Sequence, residues 1–122
     1  MKLRIKGNSV RIRLSKSEVA TICNTGYLQE QTNFGSNKFT YALERKNDGD
    51  ALTASYANNK ITMYIPEALI RNWAENDIVG FNASLQVDEH TTLYLLLEKD
   101  FICLDETTED QSDNYENPNK TC

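Results

Sequence analysis

Six cations crowd the first sixteen residues: Lys2, Arg4, Lys6, Arg11, Arg13 and Lys16, with no acid before Glu18. Charged and apolar residues alternate in Lys2-Leu3-Arg4-Ile5-Lys6 and again in Val10-Arg11-Ile12-Arg13-Leu14. In extended strands that alternation puts Lys2, Arg4, Lys6, Arg11 and Arg13 on one face and the aliphatic residues on the other. Lys16 begins the next element. Such a face attracts phosphate, and arginine adds bidentate hydrogen bonds to it. A two-stranded ribbon of this kind also fits the DNA major groove. The bland alternative is a solvated strand face whose charges discourage edge-to-edge pairing.

The other end of the chain is acidic. Asp100, Asp105, Glu106, Glu109, Asp110, Asp113 and Glu116 stand against Lys120 alone. Glu109, Asp110, Asp113 and Glu116 are the candidates for contact with a basic surface, either the N-terminal hairpin or a protein partner. Asp110, Asp113 and Glu116 recur every three residues but lack the alternating acids and glycine of a calcium loop. The Asn-rich composition suits a solvated terminus equally well. Nucleophile and base candidates are few. His90 falls in a turn, Cys23 lies on an apolar stripe that disfavours the thiolate, and Cys103 stands beside acids that raise its pKa. No Gly-rich phosphate loop, HExxH helix or nucleophile elbow occurs, and no pattern asks for a cofactor or a metal. An enzyme would need a carboxylate or cysteine site near residues 98–103.

The elements that must position these residues follow from turn and cap chemistry. Gly7-Asn8-Ser9 closes a β-hairpin. Ser15 with Glu18 makes a capping box, Val19, Ile22 and Cys23 fall at helical spacing, and Asn24-Thr25-Gly26 ends the helix. Strands over 27–34 and 38–46 surround Gly35-Ser36-Asn37. After the turn Asn47-Asp48-Gly49-Asp50 the order returns. Strands over 51–56 and 60–65 precede a helix with Pro66 at its first position and Leu69, Ile70, Trp73 and Ala74 on its apolar face. Trp73 is expected in the core. Strands over 78–87 and 92–98 close the pattern around Asp88-Glu89-His90.

Overlaying residue n on n+51 pairs Ile5 with Tyr56, Val10 with Ile61, Ile12 with Met63, Leu14 with Ile65, Val19 with Ile70 and Ile22 with Trp73. Three extra residues then shift the offset to 54, which pairs Leu43-Glu44-Arg45 with Leu97-Glu98-Lys99. A half of about 50 residues buries too little surface to stand alone, so two such halves must share a core. The expected fold is α+β, mostly β. It is one domain over 1–100, a pseudo-twofold barrel-like sheet from two ββαββ-type repeats (2–46 and 53–100) with two short helices. An acidic segment, 101–122, follows it.

Lys6-Gly7-Asn8-Ser9-Val10-Arg11-Ile12-Arg13-Leu14-Ser15-Lys16 resembles the opening of the AbrB/MazE-like swapped-hairpin regulators and antitoxins. Ile65-Pro66-Glu67-Ala68-Leu69 with Asn76-Asp77-Ile78-Val79 resembles the helix and returning strand of the same unit, so the likeness occurs twice, over 2–32 and 53–84. In that family two chains intertwine into a barrel that binds DNA, or a toxin through a tail. Ser15 replaces the usual proline, and the second copy lacks both the Gly-Asn-Ser turn and the arginines. Two copies in one chain imply a monomeric pseudo-dimer. The ending, Glu98-Lys99-Asp100-Phe101 through Asn117-Pro118, is similar to an uncharacterised family of short bacterial proteins.

Composition narrows the function classes. The 122 residues carry a net charge of −5, distributed as nine basic and three acidic residues over 1–46, three and eight over 47–99, and one and seven over 100–122. The acidic total thus hides a basic beginning. No stretch approaches the roughly 18 apolar residues of a membrane helix, and the basic start lacks the apolar run of a secretory signal, so a cytoplasmic location is expected. Cys23, Cys103 and Cys122 form no CxxC pair. These features favour a small non-enzymatic binding or regulatory module that takes DNA or another anionic ligand on the hairpin. The alternative is an antitoxin-like module that takes a protein partner through its acidic tail.

Overall fold

The computed structural model describes residues 1–101 and 112–116. Among the described residues, eight strands are interrupted by short helices: β1 (Lys2–Lys6), β2 (Ser9–Leu14), α1 (Lys16–Thr25), β3 (Tyr27–Asn33), β4 (Lys38–Lys46), β5 (Thr53–Ala57), β6 (Lys60–Pro66), α2 (Glu67–Ile70), a 3-10 turn (Trp73–Glu75), β7 (Gly80–Asp88) and β8 (Thr91–Lys99). They form two four-stranded sheets, ordered β1-β2-β8-β7 and β3-β4-β6-β5. The central pairs, β2 with β8 and β4 with β6, are parallel, and the flanking hairpins are antiparallel. Each sheet therefore joins a hairpin from the first half of the chain to one from the second. The registers correspond as well. Ser9 faces Tyr94 and Leu14 faces Lys99 in the first sheet, while Lys60 faces Thr40 and Ile65 faces Arg45 in the second.

The expected barrel does not close. The sheets stay separate, with β1 and β7 at the edges of one and β3 and β5 at the edges of the other. Closure would require backbone pairing between those edges. The sheets instead meet through side chains, in one cluster that joins Ile12, Leu14, Leu95 and Leu97 of the first to Leu43, Met63 and Ile65 of the second. Val19 and Ile22 of α1, with Ile70 and Trp73, belong to the same cluster. Residues at alternating strand positions thus supply a core that neither half contains alone.

Helix α1 follows its sequence signals. The backbone N–H of Ser15 donates to Glu18 Oε1 at 2.9 Å, and the helix ends at Gly26, left-handed at φ 81°, whose N–H donates to the Ile22 carbonyl at 3.1 Å. The second helical segment is shorter than its apolar stripe suggests. Pro66 is the last residue of β6, α2 makes one turn, and Asn72 leaves helical geometry at φ −126°, ψ 24° before the 3-10 turn. Tertiary packing explains the break. Trp73 is fully buried and its indole N–H donates to the Ile78 carbonyl at 2.8 Å, so the ring's seat sets the backbone path. β7 starts at Gly80, where a Cβ would lie 2.2 Å from the Leu97 carbonyl oxygen. Only glycine allows that approach.

Because both sheets combine strands from both halves, cutting the exposed 47–51 loop should leave the fold intact. A protease site placed there should yield two fragments that co-elute on size exclusion with an unchanged far-UV circular dichroism spectrum. Fragments that separate under native conditions would contradict the shared core.

Candidate functional site

The hairpin register places Lys2 opposite Arg13, Arg4 opposite Arg11 and Lys6 opposite Ser9. Val10, Ile12 and Leu14 point into the core, so the intervening Arg11 and Arg13 share the outward face with Lys2, Arg4 and Lys6. The same rows continue across the sheet. Ser9 faces Tyr94 and Arg11 faces Leu96 on β8, and those residues face Ser84 and Asn82 on β7. The result is a groove of about 400 Å³ whose lining includes Arg4, Lys6, Arg11, Asn82, Ser84 and Tyr94. Tyr94 is 55% exposed.

Two of the five cations are held by acids at or just past the end of β8. Arg11 places Nε at 2.7 Å and Nη2 at 2.5 Å from Glu98 Oε1. Lys2 Nζ lies 2.8 Å from Asp100 Oδ2. Among the described residues, no acid pairs with Arg4, Lys6 or Arg13. Charge compensation on this face therefore falls on Lys2 and Arg11. Lys16 is directed elsewhere, with its ammonium 5.7 Å from the Tyr115 ring centroid.

Of the acidic ending, Asp100 meets Lys2 and Asp113 meets α1. Asp113 stands at the start of α1: its carbonyl accepts the Lys16 N–H at 2.9 Å, and its carboxylate accepts the Ser17 hydroxyl at 2.6 Å and the Ser17 N–H at 3.4 Å. Hydrogen bonding from the Ser15 and Ser17 hydroxyls holds its carboxyl below the usual aspartate range. The Tyr115 N–H donates to the Asp100 carbonyl at 2.8 Å, and its ring lies 5.7 Å from that of Phe101. Glu116 is exposed. Glu109, Asp110 and Cys103 lie outside the described residues.

Beneath Tyr115 is a group that sequence reasoning did not single out. Lys99 is 4% exposed, donates to the Asn76 carbonyl at 2.7 Å, and lies between the rings of Trp73 (5.7 Å) and Tyr115 (5.1 Å). Burial pushes its pKa below the ordinary lysine value, against the opposing pull of Asp77 and Cys23. The repeat overlay held a signal for it, since Lys99 aligns with Arg45. Arg45 donates from Nη1 to the Cys23 carbonyl at 2.6 Å, so each basic residue serves the end of a helical segment. Cys23 itself donates its thiol to the Ile70 carbonyl at 3.2 Å, and burial pushes its pKa up. His90 is exposed at a turn beside Glu89, 4.0 Å away. Among the described residues, no three of the His, Cys, Asp and Glu side chains gather to hold a metal, and no helix is long and apolar enough to cross a membrane.

The Arg11–Glu98 pair is part-buried, so breaking it has a readable cost. Glu98→Gln should lower stability by about 1–2 kcal/mol in a urea melt and release Arg11 into the groove. Unchanged stability would mean that the pair is solvent-compensated.

No curated protein and no solved structure matches the chain. A model of a family of unknown function (DUF7009) matches residues 1–119, and the chain belongs to that family.

Proposed function

We propose that the protein is a non-enzymatic binding module that captures DNA or another polyanion on the outward face of the first sheet. The observation that carries this reading is the shared groove of Arg4, Lys6 and Arg11, in which Arg4 and Lys6 have no acidic partner among the described residues. Cations draw a phosphate chain to such a groove, while Asn82, Ser84 and the Tyr94 ring offer hydrogen bonds and an apolar contact to what the phosphates carry. Net acidity elsewhere does not cancel the attraction, because charges more than about 8 Å away are largely screened at physiological salt. The groove suits a ligand of the cytoplasm, where nucleic acids are abundant.

We also read the chain as an internal duplication of a hairpin–helix–hairpin unit similar to the AbrB/MazE-like regulators. The matched sheet orders and the corresponding registers of β2 with β8 and β6 with β4 support that reading. A duplicated chain would assemble within one molecule what those regulators build from two, and would need no second copy to bind.

Fluorescence anisotropy with a short DNA duplex and its single strand tests the reading. Affinity should fall steeply between roughly 50 and 200 mM salt, and Arg4→Ala with Lys6→Ala should flatten the log–log salt slope by about two. Binding that ignores salt, or a slope unchanged in the double variant, would overturn it.

A further inference from the structure

Residues 112–116 sit on the fold as a peptide sits in a recognition site. Two main-chain hydrogen bonds fix the backbone, from the Lys16 N–H to the Asp113 carbonyl and from the Tyr115 N–H to the Asp100 carbonyl. Tyr115 also forms an isolated parallel bridge with Phe101, just past the end of β8, after a turn over residues 112–114. The side-chain contacts fall on Asp113 and Tyr115, on either side of the buried Asn114. Asp113 takes the Ser17 hydroxyl and backbone, and the Tyr115 ring lies against Phe101 with the Lys16 and Lys99 ammonium groups 5.7 and 5.1 Å from its centroid.

Contacts outside the segment fix most of the socket. Lys99 is set by its bond to Asn76 and by the Trp73 ring, Asp100 by its N–H donating to the Leu14 carbonyl at 2.8 Å, and Ser17 by α1. A lysine that is 4% exposed needs electron-rich neighbours, and Tyr115 supplies the second of its two aromatic rings. The segment is held at polar and apolar points alike: Asp113 and Ser17 are exposed, whereas Asn114 is buried and Tyr115 packs against the core cluster. None of the fully buried core residues belongs to 112–116.

We propose that this socket is a recognition site for an acidic–aromatic peptide, aspartate followed two residues later by tyrosine, presented by a partner protein. The chain's own 112–116 segment is then a tethered competitor. Because the segment is covalently joined to the site, a partner must bind more tightly than the segment or arrive at high local concentration.

A fluorescein-labelled peptide Ser-Asp-Asn-Tyr-Glu is the probe, titrated into the full chain and into its Asp113→Ala/Tyr115→Ala variant. The variant should bind the peptide saturably, and the intact chain at least about tenfold more weakly. Alanine in place of either the peptide's aspartate or its tyrosine should abolish binding, and Lys16→Ala with Ser17→Ala in the emptied chain should weaken it. Circular dichroism establishes that the variant is folded. If it is not, the single variant Asp113→Ala carries the same comparison. A folded variant that shows no saturable binding, or that binds the alanine peptides equally well, would overturn the proposal. So would a concentration-dependent dimer of the intact chain that Asp113→Ala/Tyr115→Ala abolishes, since two copies would then be exchanging the segment.

Discussion

The parallel pairing of β2 with β8 is the constraint on which the rest depends. It begins where the Tyr94 N–H donates to the Asn8 carbonyl and runs until the Asp100 N–H donates to that of Leu14. This ladder ties the first hairpin to the last strand across most of the chain. Closing so long a loop is entropically unfavourable and slow, and it is offset only by burial of Ile12, Leu14, Leu95 and Leu97 at the same interface. β4 and β6 repeat the arrangement over a shorter separation and bury Leu43, Met63 and Ile65 against it.

Both candidate sites follow from this ladder. Its outward side places Glu98 in the row of Arg13 and within reach of Arg11, whose charge it neutralises, while Arg4, Lys6 and Arg13 have no acidic partner among the described residues. Its end places Asp100 where three contacts converge. The backbone N–H continues the ladder, the carbonyl accepts Tyr115, and the carboxylate pairs with Lys2. Asp100 is 6% exposed, and a buried carboxylate is tolerable because it is paired. Asp100 therefore connects the cationic face, through Lys2, to the Tyr115 segment.

Much of the local structure is legible in the sequence because it rests on short-range chemistry. The first hairpin, the Ser15–Glu18 start and Gly26 stop of α1, and the strand Lys38–Lys46 appear where turn residues and caps place them. The second helix is legible as an apolar stripe but not as a helix. Burial of Ile70 and Trp73 is satisfied by one α turn and a 3-10 turn, because the buried indole and its hydrogen bond to Ile78 set the path at Asn72 against the helix propensity of Ala68, Leu69 and Arg71. Ile78 and Val79 look like strand residues, yet both are half-exposed and precede β7, which must wait for Gly80 to approach β8. Lys99 passes in the sequence as one more charged strand residue. Only the rings above and below it show that it is buried.

By itself the sequence determined the mostly-β α+β class, the side of the hairpin on which the cations lie, and the recurrence of similar elements after residue 50. Each of these depends on residues close in the chain, where alternation, capping and turn preference act within a few peptide units. Tertiary structure decided how the hairpins combine, that two sheets face each other in place of a closed barrel, and that Asp113 meets α1 instead of the basic face. Those outcomes depend on which distant strands share backbone hydrogen bonds and which side chains share one core. No local periodicity encodes that choice.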